Sequence, residues 1–374
     1  SLKDVVRIFE TSLSKRTRLL IVASWTVLLS SCQTPSDPPM DSEKGVELGT
    51  NLESERIVLP ARVVEAKPKV PAVEPKPEPP LLGAIAKQAK LVGAVAKRVD
   101  EERWQVIRGD RVLNLTDKSR KAELDETVLF LSEPFSRRKG FFGLSDSDFE
   151  NTLIPAMAPV VGSLRSGVIV IDPGHGGSEK GAVNDSLGLL EKDLNLDVSL
   201  RLQTLLKDLG YKVVLTRYDD RLVPLEERSR IANHSNAGVF VSVHFNAALN
   251  SEAMGLETYI LTSIGALSTN DLNTGGDAQV WPGNAFDSLN FELGFRTHKG
   301  LIEDLQRVDR GFKRARFKVL KGLECPGILV ECGFVSHSKE ALLLNTPVYR
   351  QKLAESLARS LDDFAKPRRG DKSS

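Results

Sequence analysis

Residues 168–177 read VIVIDPGHGG. Four consecutive aliphatic residues mark a strand buried on both faces, and the Pro-Gly-His-Gly-Gly run marks a loop leaving its end. Working outward, Leu194, Val198, Leu202, Leu205 and Leu209 recur at helical spacing, and Gly210 stops that helix. KVVLTR (212–217) reads as the next strand, and a helix follows from about Pro224 to Ser235. VFVSVH (239–244) is a second buried strand, whereas GLETYILT (255–262) alternates and is expected nearer an edge. A polar, Gly-rich loop over about 263–284 precedes a long helix over roughly 285–306. FKVL and GILVEC are read as the last strands. Thr346 caps a closing helix over 347–365, with Pro347 at its first position. Strand–helix alternation of this kind implies an α/β domain with helices on both faces of its sheet.

The whole chain has 374 residues, with 51 Lys+Arg against 50 Asp+Glu and a formal net charge of +1. At roughly 150 residues per domain, two or three units are expected. A 41% hydrophobic and 27% charged composition excludes a wholly disordered chain and a multi-span membrane protein. Near-neutral charge supplies no field that would gather nucleic acid. Three cysteines exclude a dense disulfide scaffold. Cys325 and Cys332 flank one strand, and at full extension they would stand about 20 Å apart, too far to bridge. Two free, mostly buried thiols are expected.

The first hundred residues are of another kind. Lys15-Arg16-Thr17-Arg18 precedes the uncharged run LLIVASWTVLLSS (19–31), a basic region followed by a signal-type apolar core. That run falls short of the about 20 residues of a spanning helix. It ends Leu29-Ser30-Ser31-Cys32, which resembles a bacterial lipobox with Cys32 as the lipidated residue. Gln33 rather than Asp follows, which by analogy with lipoprotein sorting favours the outer membrane. Residues 1–32 are therefore expected to be a lipoprotein-type signal peptide. A Pro-rich linker with a short basic helix is expected over 33–100. Its stretch AKPKVPAVEPKPEPP (66–80) favours extended polyproline II and prevents a packed core. Residues 81–100 form the basic amphipathic helix, leading into the next domain or touching an anionic surface. Residues 101–163 read as a small α+β module built on WQVI, RVLNL and TVLFL, with FFGL as a fourth strand. There Ser145 or Asp146 is expected to cap a helix that Pro155 ends. The module holds no His or Cys, so a binding or spacer role is its default. Residues 167–367 hold the α/β domain, and 368–374 a disordered tail.

Five histidines occur: 175, 234, 244, 298 and 337. His175 follows one buried strand and His244 ends another, where open α/β sheets bind ligands. Glu191 opens the first long helix, and Glu331 ends the strand GILVE. A carboxylate after four apolar strand residues is costly unless something pairs it. Two imidazoles and a carboxylate suit a zinc site with an open position: His175, Glu191 and His244 as ligands, Glu331 as the proton-transferring group. Spacing alone leaves a capped strand end with exposed histidines equally open. Arg217 and Asn246, at strand ends, are candidates to hold substrate groups or to close loops. His234 is read as solvated, His298 as packed in or facing out from the long helix, and His337 as able to approach the site. The basic run Lys313, Arg314, Arg316 and Lys318 could meet acidic peptides or form a solvated face.

Several separated motifs resemble one family in its order. They are VIVIDPGHGG, GAV (181–183), EKDLNL (191–196), GYKVVLTRYDD (210–220), the helix carrying Leu225 and Arg228, VFVSVHFNA (239–247) and GILVECGFVSH (327–337). Over about 168–366 the chain resembles the zinc-dependent N-acetylmuramoyl-L-alanine amidases of bacterial cell walls. The resemblance implies an α/β fold with a mixed, mostly parallel sheet. It implies one Zn2+ on His175, Glu191 and His244, with Glu331 as the catalytic glutamate. The implied reaction cleaves the amide between the muramic lactyl group and L-Ala of the stem peptide, in wall remodelling or daughter-cell separation. Peptidoglycan and a membrane reached through the lipid anchor would be the partners, and the location the periplasmic side of the envelope. A protein activator is allowed for, although no autoinhibitory helix is legible before residue 285. Cys332 departs from the family's Val or small residue. A zinc carboxypeptidase acting on wall peptides and a non-catalytic wall-binding protein are the rival readings.

Overall fold

The computed structural model describes residues 84–366 other than 139, 161–163, 165 and 271–277. The signal-type run, Cys32 and the proline-rich stretch to residue 80 lie outside the described residues. Six strands arise before residue 144: β1 (Val95–Arg98), β2 (Arg103–Arg108), β3 (Arg111–Thr116), β4 (Ser119–Leu124), β5 (Thr127–Arg138) and β6 (Phe141–Gly143). Eight follow: β7 (Val168–Pro173), the short hairpin β8 (Val183–Asn184) and β9 (Leu189–Leu190), β10 (Lys212–Leu215), β11 (Val239–Asn246), β12 (Leu256–Leu261), β13 (Asp309–Ala315) and β14 (Gly327–Phe334).

One sheet runs β1-β2-β3-β4-β5-β13-β12-β14-β11-β7-β10, with β6 beside β5. The strands β14, β11, β7 and β10 pair in parallel, as does β12 with β13, while β12 meets β14 antiparallel. The α/β domain is thus mixed and mostly parallel. β1 to β5 form an antiparallel meander. The meander joins the α/β strands directly, since Leu129 of β5 pairs in parallel with Phe312 of β13. Asp309 Oδ2 accepts the Val128 amide at 2.8 Å across the same seam. Gly311 lets the strands close: a Cβ there would stand 2.6 Å from the Phe130 ring. Arg120 donates to the carbonyls of Ser268 and Thr269.

Both faces carry helices. α1 (Ile85–Leu91) packs beside the meander. On one face of the α/β strands lie α2 (Glu191–Asp208), α4 (Asp287–Leu305) and α5 (Pro347–Ala365), over a core containing Ile171, Val241, Val330, Cys332, Leu202, Phe291 and Leu357. On the other lie α3 (Leu225–His234) and a helical turn over Lys318–Lys321, over Val170, Phe240, Leu329, Ala232 and Leu320. Among the described residues no helix is long and apolar enough to cross a membrane.

Four expectations need correction. The helix expected over 81–100 ends at Leu91, because Gly93 takes a left-handed conformation (φ 69°) and Val95–Arg98 turns back to pair with β2. FKVL is no strand: Val319 and Leu320 are adjacent yet both buried, which suits a helical turn. The strand of that region is β13, whose cations hid it from a hydrophobicity reading. β12 is not near an edge but buried along its whole length between β13 and β14. Pro155 does not end its helix. Ser145 caps the helix at Asp148, but a π-helical turn over Phe149–Leu153 precedes Pro155, and the helix runs on to Met157.

Candidate metal centre and active site

Strand alternation builds the site. In β11, Val239, Val241, Val243 and Phe245 face the α2 core, while Phe240, Ser242 and His244 face the α3 side. In β14, Val330 and Cys332 face α2, so Glu331 shares the α3 side with Leu329. The apolar α3-side core stops after Val170, Phe240 and Leu329, and polar groups continue each row: Asp172, Ser242 and His244, and Glu331. Cross-strand register sets His244 beside Glu331 and Glu331 beside Glu257 of β12. The three form one line across the sheet.

His175 sits just past β7 with φ 58°, a left-handed conformation rare outside glycine. Glu191, the first residue of α2, is 4% exposed and lies between the two imidazoles. Its Oε1 is 2.8 Å from His244 Nδ1, and its Oε2 is 3.2 Å from His175 Nε2. The amides of Phe245 and Ala182 donate to the same two oxygens at 3.1 and 2.7 Å. Burial alone would raise the Glu191 carboxyl, but His175 and His244 outweigh it and hold it well below the usual carboxylate range. One donor atom from each of the three residues lies within 4.8 Å of the others. Two glycines make room for this cluster. A Cβ on Gly174 would stand 2.3 Å from the His244 ring, and one on Gly181 would stand 2.4 Å from Glu191 Oε2. Two nitrogens and one carboxylate oxygen, converging and anionic, fit a zinc ion with a fourth position open.

Two buried guanidinium groups hold the loop from beneath. Arg228 pairs with Asp172 at 2.8 Å and donates to the carbonyls of Val223, Pro173 and His175. Asp172 also accepts Thr216 and Ser242 hydroxyls at 2.6 and 2.7 Å. Arg217 donates to Pro173, Gly174, Lys192 and Asp219 carbonyls.

Glu331 differs from every carboxylate around it. Its Oε2 is buried with no hydrogen-bond partner among the described residues. Burial, with the Glu191 and Glu257 charges behind it, pushes its carboxyl well above the ordinary range. Glu257 is saturated instead. Its Oε1 takes Arg310 Nε and Lys313 Nζ, each at 2.7 Å. Its Oε2 takes Tyr259 Oη at 2.7 Å and Asn246 Nδ2 at 3.2 Å. Burial would raise Glu257, but Lys313, Tyr259 and Arg310 bring it below the ordinary range.

The sequence profile described as N-acetylmuramoyl-L-alanine amidase matches residues 169–363, over half of the chain. This chain belongs to the N-acetylmuramoyl-L-alanine amidase family. It is 33% identical over 213 residues to the uncharacterized protein YqiI of Bacillus subtilis, covering 57% of this chain and 91% of YqiI. It is 36% identical over 199 residues to the amidase LytC of Bacillus subtilis, covering 53% of this chain and 35% of LytC. It is 33% identical over 262 residues to the amidase AmiC of Escherichia coli, covering 63% of this chain and 60% of AmiC. The chain therefore spans less than two thirds of LytC and of AmiC.

The amidase fold brings His175, Glu191, His244 and Glu331 to one end of the sheet. Arg217 needs correction: it is fully buried and bound to backbone carbonyls, so it closes the loop and does not meet substrate. Asn246 turns toward Glu257 and so borders the site. The other histidines lie elsewhere. His234 is exposed at the end of α3. His298 is fully buried between Thr258 and Asp309. His337 accepts the Glu340 amide at the start of the helix Ser338–Leu344. Sequence reasoning missed Glu257 and Arg310. The alternation of GLETYILT placed a carboxylate on one face, but the expectation of a position nearer an edge gave no reason to pair it.

Proposed function

We propose that this chain is a zinc-dependent peptidoglycan amidase. It cleaves the amide between the lactyl group of N-acetylmuramic acid and L-Ala of the stem peptide, in wall remodelling or daughter-cell separation. The observation that carries the reading is the pairing of a converging His175–Glu191–His244 donor set with Glu331 on the adjacent strand, whose Oε2 has no hydrogen-bond partner among the described residues. His175, Glu191 and His244 would hold the zinc ion, which when bound would supply Lewis-acid chemistry to the carbonyl and water. The Glu331 carboxylate accepts a proton from the attacking water and returns it to the leaving nitrogen. Its raised proton affinity makes the ionised carboxylate a stronger base toward the attacking water. The family membership supports the choice of bond.

The test is mass spectrometry of purified peptidoglycan treated with the full chain, with and without chelator. Intact stem peptides with a free L-Ala amino terminus, lost with chelator and restored by zinc, are expected. Shortened stems would replace the amidase with a carboxypeptidase. The basic segment, the apolar run and Cys32 support an envelope location through a lipid anchor, with the outer membrane favoured. Fatty-acid labelling that persists in Cys32→Ala would refute that anchor.

A further inference from the structure

Arg310 pairs with Glu257, the cross-strand neighbour of Glu331, through one of its three guanidinium nitrogens. Its Nε is bound to Glu257 Oε1 at 2.7 Å, and its Cζ lies 4.7 Å from the centroid of the Phe334 ring. The pairing and the ring fix the plane of the group. The side chain remains 34% exposed, and its two terminal nitrogens have no partner among the described residues. Lys313 shares the same Glu257 oxygen, so two cations meet one carboxylate and the cluster keeps a positive charge. A planar fork of N–H donors, oriented by its own Nε and open to solvent, matches a carboxylate bidentately.

Position names which carboxylate. Glu257 is the cross-strand neighbour of Glu331, which puts the Arg310 fork on the order of 10 Å from the proton-transferring carboxyl. In an extended stem peptide the second residue lies roughly 7 Å beyond the scissile nitrogen. We propose that Arg310 binds the free carboxylate of the second stem residue and thereby sets the peptide across Glu331. This rests on the amidase reading. Glu257, Lys313 and Phe334 act as positioning residues for Arg310, and Lys313, buried against Glu257, does not reach the peptide itself.

The experiment is titration calorimetry on the zinc-loaded full chain. The probes are the tripeptide L-Ala-γ-D-Glu-L-Lys and its counterpart with the glutamate α-carboxyl converted to an amide. An amidase does not consume either. Wild type is expected to bind the carboxylate form about tenfold tighter, the scale of one charge-assisted contact. Arg310→Met should shrink that preference to within about twofold while leaving the amide form's affinity unchanged. Arg310→Lys keeps the charge opposite Glu257 but not the fork, and should fall between. A wild type indifferent to the carboxylate, or an Arg310→Met that weakens both probes equally, would overturn the proposal. Failure of the amidase reading looks different: peptidoglycan digests would contain no intact stems, whatever the peptides' affinities.

Discussion

Glu331 and Glu257 are direct neighbours across β14 and β12, yet among the described residues Glu257 has four partners and Glu331 Oε2 has none. The sheet thus places a neutralised, ionised carboxylate next to one that resists ionising. An unsatisfied buried polar atom costs about 1–3 kcal/mol, so Glu331 holds its place at an energetic cost.

Glu331→Gln should therefore separate function from stability. Turnover should fall by about 10²- to 10⁴-fold, while zinc measured by elemental analysis stays at wild-type level. Metal-free Glu331→Gln should melt a few degrees above metal-free wild type at neutral pH, because the glutamine carries no charge to desolvate. An unchanged turnover would remove Glu331 from the chemistry.

The pH dependence of that difference has a defined sign. The folded-state pKa of Glu331 is raised, so its stabilising contribution is complete below the unfolded value of about 4.3 and is lost as pH rises through the folded value. The gap between metal-free Glu331→Gln and wild type should widen as pH rises from 4 to 7 (roughly the carboxyl range). Asp309 behaves oppositely. Burial would raise it, but its bonds to His298 and to the Val128 and Gly311 amides lower it. Its contribution is present above about 3.9 and is lost as pH falls through the folded value. Asp309→Asn should flatten the acid limb of a stability–pH curve recorded by urea denaturation.

Metal affinity should depend on a residue with no ligand atom. Gly174→Ala places a methyl group within 2.3 Å of the His244 ring, so the imidazole must turn away. Zinc affinity should drop tenfold or more by competition with a chromogenic chelator, with the circular dichroism spectrum unchanged. His175→Ala should lose bound zinc outright. Normal stoichiometry in that variant would contradict the ligand assignment.

Breaking the buried Arg228–Asp172 pair should be costly. Arg228→Met leaves Asp172 charged and buried, and removes donors from the Val223, Pro173 and His175 carbonyls. A loss of about 3–5 kcal/mol in urea denaturation is expected. Arg217→Lys should also destabilise, since one ammonium cannot reach the four carbonyls that the guanidinium spans.

Much of the site was legible because each key residue follows an apolar run. VIVID, VFVSV and GILV announce buried strands, and His175, His244 and Glu331 stand at or just past their ends. The strand β13 was illegible for the opposite reason. Its Lys313 and Arg314 read as part of a basic run meeting acidic peptides or solvent, Arg310 is not singled out, and only the tertiary fold supplies the Glu257 that pairs Arg310 and Lys313. Arg217 looked like a substrate contact because strand ends bind ligands. Its burial depends on a loop path that spacing does not encode. The helix over 81–100 failed at Gly93, where one left-handed residue outweighed the amphipathic pattern.

The pairing of β5 with β13 carries a consequence for how the protein comes apart. Hydrogen bonds and the Val128–Asp309 contact cross that seam within a single sheet, so the meander and the α/β strands should melt in one cooperative transition. A chain beginning at residue 167 would lack β5, which pairs with β13 at Phe312, and would turn an interior strand into an open edge, a template for self-association. What looks in sequence like a detachable appendage is the cover that keeps the catalytic half from sticking to its own kind.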